Sequence, residues 1–154
     1  MPIIATLCHI LKDEKLLLQK KSKGLFGADK WNGIGGKLKR NETPEEGVKR
    51  EVFEETGLRI LNPEFHGTLS FYFDNGKEPD WIVYVFSAKA FEGKPRPSEE
   101  GALRWFAFKG IPYDEMWQDD RHWLPLFLKD KKFEGDFYFD KEGKELLNLY
   151  LKVH

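Results

Sequence analysis

Glu51, Glu54 and Glu55 stand at offsets of zero, three and four along one stretch of the chain. On a helix that spacing gathers three carboxylates on one face. Left unpaired they would repel each other and weaken the helix, and a divalent cation bound by hard oxygen ligands removes that penalty. A cation held this way can neutralise phosphate oxygens and lower the pKa of an attacking water. Any one of these acids alone is as well explained by a solvated helix face. The ordered set is not.

The elements that must position them are readable nearby. Thr43, Pro44 and Glu46 form a helix start, with Thr43 as cap, Pro44 in the first turn and Glu46 closing a capping box. Gly57 can take the left-handed conformation that ends a helix, which predicts a helix over Pro44–Thr56. Val48 and Val52, one turn apart, are expected to face the core while the acids face outward. Gly47 is a weak spot in such a helix, costing roughly 1 kcal/mol against Ala. Before it, Gly33, Ile34, Gly35 and Gly36 predict a loop that approaches a ligand closely and leaves a carbonyl free for a metal. Glu42 and Arg50 are expected to pair and pin that loop to the helix.

From Gly36 to Leu58 the order is Gly-x5-Glu-x7-Arg-Glu-aliphatic-x-Glu-Glu-x-Gly-aliphatic. This resembles the complete Nudix box, with every fixed position filled, and such specificity favours metal binding over the solvated face. The resemblance implies a Nudix fold of the α/β (α+β) class, an α/β/α sandwich with a mixed central sheet. It also implies an enzyme that cleaves nucleoside diphosphates linked to another group. By the same resemblance Mg2+, with Mn2+ as an alternative, would be held by Glu51, Glu54, Glu55, the Gly35 carbonyl and Glu100. Glu99 competes with Glu100 for that place. Glu51 or Glu55 would take the proton from water, Arg50 would orient the acids, and Lys21 is the better candidate for phosphate.

The resemblance narrows outside the box. The segment of residues 26–37, with Phe26, Trp31 and Asn32, is similar to MutT-like enzymes that sanitise oxidised purine nucleoside triphosphates. So is 111–125, with Met116, Trp117, Asp119, Asp120 and Trp123, and so is 131–135. Similarity to that branch runs from about Thr6 to the C-terminus. It implies hydrolysis of 8-oxo-dGTP or 2-hydroxy-dATP to monophosphate and pyrophosphate, with Thr6, Lys21, Phe26, Phe71 and Phe73 completing the substrate pocket.

The residue chemistry fits a purine. Trp117 offers a stacking face worth ~1 to 3 kcal/mol per base. Asp119 and Asp120 can meet the N–H groups of a guanine edge, and Asn32 is both donor and acceptor. Adjacent carboxylates in a partly apolar pocket titrate as a pair, one of which can stay protonated and donate. Against this, Asp119 and Asp120 could simply cap a helix, Phe71 and Phe73 could be core, and Met116 could be filler. The branch also carries a long apolar residue after the acid matched by Glu100, where this chain has Gly101. A wider base pocket is the expectation.

Composition narrows the alternatives. The 154 residues suit a single domain over 1–154, and 33% charged residues balance to a net charge of -1. No global field draws the chain to a nucleic acid polymer or a membrane, so a small-molecule nucleotide is the expected partner and a monomer the expected state. A single cysteine, Cys8, excludes an internal disulfide and reads as a small core residue. The N-terminus lacks the length of a span and the basic start of a signal peptide, which makes the cytoplasm the expected location. Other readings are an enzyme for an ADP-sugar, a methylated purine triphosphate or an ordinary dNTP, or a nucleotide-sensing module without turnover.

Strands are expected over 3–11, 16–20, 65–73, 81–86, 103–108, Phe133–Phe139 and Leu146–Val153, from apolar runs and period-two alternation. The run 81–86 is apolar on both faces, as in a central strand. A second helix is expected over Asp120–Leu128, with Pro125 disturbing its first turns or delaying its start.

Overall fold

A computed structural model describes residues 1–25, 27–73 and 76–154. The chain runs β1 (Ile3–Lys12), β2 (Lys15–Lys21), β3 (Trp31–Asn32), β4 (Ile34–Lys37), α1 (Pro44–Thr56), β5 (Arg59–Leu61), β6 (Glu64–Phe73) and β7 (Trp81–Ala88). It continues through β8 (Ala90–Glu92), β9 (Gly101–Ala107), α2 (Asp120–Leu128), β10 (Phe133–Phe139) and β11 (Leu146–Val153). Asp13 and Glu14, both at positive φ, make the tight turn between β1 and β2.

Nine strands form one mixed sheet, ordered β11-β10-β6-β7-β1-β2-β3, with β4 added on β1 and β9 on β2. β1 lies at its centre. Along one edge it runs parallel to β7 from Ile3 to Ile10. Its other edge is divided: Ala5 to Cys8 pair with β4, and Ile10 to Lys12 pair with β2. β5 and β8 make a separate two-stranded sheet.

The two sheet faces are covered by different helices. Val48 and Val52 of α1 pack with Cys8, Ile10, Leu17, Ile34 and Leu58. Trp123, Leu124 and Phe127 of α2 pack with Leu16, Leu18, Leu69, Val85 and Phe137. Leu16, Leu17 and Leu18 thus alternate between the two cores, as the pleat requires. The expected α/β/α arrangement with a mixed sheet is what forms. Cys8 is buried in a core strand, as its setting suggested.

α1 has the expected bounds, with a reciprocal Thr43–Glu46 capping box and Gly57 at φ 77. α2 also has the expected bounds, and Pro125 lies inside it without delaying its start. Four short strands were not foreseen. β4 occupies most of the glycine-rich run 33–36 expected to be loop, and β3 lies just before it, because pairing with β1 and β2 captures them. Asp74 and Asn75, the first residues of the turn expected before β7, lie outside the described residues. No helix among the described residues is long and apolar enough to cross a membrane.

Candidate active site

α1 presents its acids beside β4. Gly36 makes this approach feasible: a Cβ there would sit 2.7 Å from the Glu51 carboxyl carbon. Arg50 organises the cluster. Its Nε donates to Glu42 Oε2 at 2.6 Å and its Nη2 to Glu42 Oε1 at 3.0 Å, the expected pair in forked geometry. The same guanidinium donates to Glu51 at 2.9 Å, to Glu54 at 3.1 Å and to the Lys37 carbonyl at 3.2 Å. Hydrogen bonding to Arg50 holds the Glu42 carboxyl down to about 2.

The three acids of α1 do not all face outward. Glu51 and Glu55 line a cavity of about 570 Å³, whereas Glu54 is half exposed, outside that wall and tied to Arg50. Glu55 is buried, because the 100° step from Glu54 turns it toward β1 and β2 instead of solvent. Its Oε1 makes no hydrogen bond among the described residues, with Lys21 Nζ 3.9 Å away. Burial, and then the neighbouring Glu51 acid, push the Glu55 carboxyl well above its usual range against the pull of Lys21. Lys21 also donates to Glu100 Oε2 at 3.4 Å. Glu100 lines the cavity and Glu99 is exposed.

The cavity continues from these groups to the N-terminus of α2, where Trp117, Asp119 and Asp120 line it. Trp117 is held edge-to-face by Phe73 and Phe139, with ring centres 6.4 and 5.8 Å away, and Lys30 Nζ lies 5.8 Å from its ring. Asp119 occupies the cap position of α2 yet makes no capping hydrogen bond. Its Oδ2 instead accepts from Trp123 Nε1 at 2.7 Å. Asp120 Oδ2 has no partner among the described residues. Burial pushes Asp119 up to about 6; burial and then Asp119 raise Asp120 well above its ordinary range. One or both carboxyls can therefore hold a proton and donate.

Thr6, Lys21, Asn32, Gly35, Phe71 and Phe73 line the same cavity, so these expected residues converge from five strands, β1, β2, β3, β4 and β6. Thr6 Oγ1 has no partner among the described residues. Asn32 Oδ1 accepts from Gly33 N–H at 2.9 Å, which leaves its NH2 as the group to offer a ligand. Arg50 does not line the cavity itself and touches its wall through Glu51 and the Lys37 carbonyl. Met116 is buried filler. Phe26 lies outside the described residues.

One further reading needs correction. Gly101 does not line the cavity: it pairs with Lys21 on β2, and a Cβ there would sit 1.9 Å from the Lys20 carbonyl oxygen. Its lack of a side chain serves strand packing, so it does not widen the base pocket. Leu69, Trp81, Val83 and Trp123 line the cavity and were not foreseen. Alternation could have found three of them, since Leu69 shares a strand face with Phe71 and Phe73, opposite Val83 and Trp81 on β7.

A cation fits the α1 end. Glu51 and Glu55 supply hard oxygens, and Glu55 Oε1 is buried without a hydrogen bond among the described residues. The family model of the NUDIX domain matches residues 1–127. The chain is 42% identical over 137 residues to an oxidized purine nucleoside triphosphate hydrolase of Mus musculus, covering 89% of this chain and 86% of that one. It is 38% identical over 144 residues to the protein of the same name from Danio rerio, covering 94% and 90%. Among solved structures, a MutT protein from Bacillus halodurans superposes with a TM-score of 0.86 at 28% identity, over 97% of each chain. A complete box on α1, a matching domain model and relatives aligned over nearly their whole length place this chain in the Nudix hydrolase family, whose members generally use divalent cations.

Proposed function

We propose that this single-domain chain acts as a monomer in the cytoplasm, hydrolysing oxidised purine nucleoside triphosphates to monophosphate and pyrophosphate. One observation carries the reading: a single cavity joins the acids of α1 to Trp117, Asp119 and Asp120. A purine nucleotide needs both ends, a charged one for phosphates and an aromatic, hydrogen-bonding one for the base. The mouse and zebrafish relatives bear names for this activity and support it.

Glu51, Glu55 and the Gly35 carbonyl would hold Mg2+, with Glu54 reaching from the exposed side and Glu100 from its loop. When bound, Mg2+ supplies charge neutralisation at the phosphates and a more acidic water. Lys21 stands between Glu55 and Glu100, where its ammonium can meet a phosphate oxygen. Glu51 or Glu55 takes the proton of the attacking water. Arg50 holds Glu51 in place through a fixed fork. At the other end Trp117 stacks on the base, while Asn32, Asp119 and Asp120 read its edge.

The test is kcat/KM for 8-oxo-dGTP, 2-hydroxy-dATP, dGTP and ADP-ribose in parallel with Mg2+, with products identified. Oxidised purines are expected to lead, with pyrophosphate released. A preference for ADP-ribose or for dGTP would overturn the substrate assignment, and no turnover of any of them would favour a sensing module.

A further inference from the structure

A second cluster of metal-ligating groups lies on the far side of α2 from its cavity end. β6 carries a bulge between Phe65 and Gly67 where it pairs with β7, so His66 is the extra residue. Bulges re-aim side chains. Here the imidazole is buried against Phe127, with ring centres 4.6 Å apart. Its Nδ1 lies 3.4 Å from the Lys131 carbonyl oxygen, which can only accept. A neutral ring donating there carries its lone pair on Nε2.

That Nε2 faces Ser87 Oγ at 2.9 Å, Glu64 Oε1 at 3.4 Å and Asp130 Oδ1 at 3.9 Å. The imidazole nitrogen and the two carboxylate oxygens all lie within 4.8 Å of one another. Glu64 and Ser87 are cross-strand partners, and Asp130 follows α2 in a left-handed conformation, φ 61. Three elements therefore aim electron-rich atoms at one point. In the neutral ring Ser87 Oγ–H can donate to the Nε2 lone pair; a proton on Nε2 or a metal cation would instead draw the two carboxylate oxygens onto the same point. Lys132 does not fill the point itself: its Nζ donates to the Phe65 carbonyl and lies 3.5 Å from the other Glu64 oxygen, Oε2.

We propose that Glu64, His66 and Asp130 form a second metal site, separate from the Nudix box, that takes a first-row transition ion such as Zn2+. An imidazole ligand selects such ions over Mg2+ or Ca2+. Tetrahedral ligands at ~2.0 to 2.1 Å from zinc are spaced ~3.3 Å apart, and the Glu64–His66 separation of 3.4 Å matches that spacing. Asp130, 3.9 Å from Nε2 and within 4.8 Å of the Glu64 oxygen, must move closer to both, which its exposed carboxylate can do by rotation. Ser87 Oγ or water completes the shell, and Lys131 fixes the ring from behind, as carbonyls do for ligating histidines. The ion staples β6 and β7 to the C-terminal end of α2, whose other end carries Asp120.

The test uses the full chain, stripped by chelator and then held in saturating Mg2+. Zn2+ is titrated by calorimetry into wild type and Glu64→Gln/Asp130→Asn, with His66 ring nitrogens followed by NMR. Asn suits a left-handed position, so the variant should fold; Glu64→Gln alone repeats the test if it does not. Wild type is expected to take one more equivalent of Zn2+ than the variant, or to bind that equivalent at least ~10-fold more tightly. The Nε2 signal should move in wild type while Nδ1–H persists. Equal stoichiometry and affinity in both chains would overturn the site. So would a His66 ring that answers acid but not Zn2+, which would make the cluster a proton site.

Discussion

The two ends of the cavity treat carboxylates in opposite ways. At the α1 end Arg50 binds Glu42, Glu51 and Glu54 and Lys21 stands by Glu55 and Glu100, so the acids there lie beside cations, and Arg50 holds the Glu42 carboxyl low. At the α2 end Asp119 and Asp120 are buried among Trp117, Trp123 and Phe73, and burial drives them toward the protonated form. The same carboxyl group thus supplies negative charge at one end and a hydrogen-bond donor at the other, and its environment decides which. Glu55 is the intermediate case. It is buried like the aspartates, yet placed where a cation would return it to the charged form.

The largest effect should come from breaking the charged end. Glu51→Gln or Glu55→Gln removes a charge at nearly constant volume, and kcat for 8-oxo-dGTP should fall at least ~1,000-fold, about 4 kcal/mol of barrier. Melting temperature should hold. Activity above about a tenth of wild type would remove that residue from the cation site.

Breaking the other end should look different. Asp119→Asn or Asp120→Asn should lower kcat/KM for 8-oxo-dGTP by ~1 to 3 kcal/mol, the worth of a good base-edge contact. The Mg2+ concentration for half-activation should not move, and poorly recognised nucleotides should be little affected. Equal losses on all substrates would mean that the pair only supports α2.

A third experiment sharpens the contrast through pH. His9 lies beneath the α2 end, its ring centre 5.8 Å from that of Trp123, and neither ring nitrogen has a partner among the described residues. Burial pushes its pKa down to about 3. The folded state then binds fewer protons than the unfolded chain, so the stability from neutral His9 is complete above about 6.5 and is lost as pH falls toward 3. Asp119 runs the other way. Its stabilising contribution is complete below its unfolded pKa and is lost as pH rises through about 6. Between pH 4 and 6 the two oppose each other. Denaturant unfolding of His9→Leu should show it gaining on wild type by about 1.4 kcal/mol for each unit of acidification in that window. A constant difference would mean that His9 finds a partner when protonated.

The smallest effect is a control. Glu99→Gln, one residue from the cavity wall, should change kcat and stability by no more than about 0.5 kcal/mol. A larger loss would transfer the loop role from Glu100 to Glu99.

The charged end was legible in the sequence because its information is local. Thr43, Glu46 and Gly57 bound the helix by short-range bonding, and the spacing of Glu51, Glu54 and Glu55 follows from 3.6 residues per turn. What the spacing could not say was which acid would be buried, since that depends on β1 and β2 packing against the helix. The α2 end was readable in residue type but not in setting. By residue type Asp119 suits binding, with capping as the lesser alternative, and nothing in the sequence told that Trp123, one turn away, would claim its oxygen. Gly35 and Gly36 suggested a ligand loop because a glycine-rich run carries no signal of the distant strand that will pair with it. Gly101 failed for the same reason, its constraint being the Lys20 carbonyl far off in sequence.

The Arg50 network also bears on how substrate arrives. Glu42, Glu51, Glu54, Glu55 and Glu100 set five carboxylates against Arg50 and Lys21. With Glu55 protonated, as burial favours before a cation binds, the cluster carries a surplus of two negative charges, four carboxylates against two cations, in a chain whose net charge is only -1. A bare triphosphate approaching this mouth is repelled, whereas divalent cations are concentrated there. The encounter complex is then formed by nucleotide already carrying its counter-cation, or by an enzyme that has loaded one first. Added monovalent salt screens the repulsion on a bare nucleotide and weakens the attraction for the cation. The association rate should therefore rise with ionic strength when the divalent cation is scarce, and lose that dependence when it is saturating.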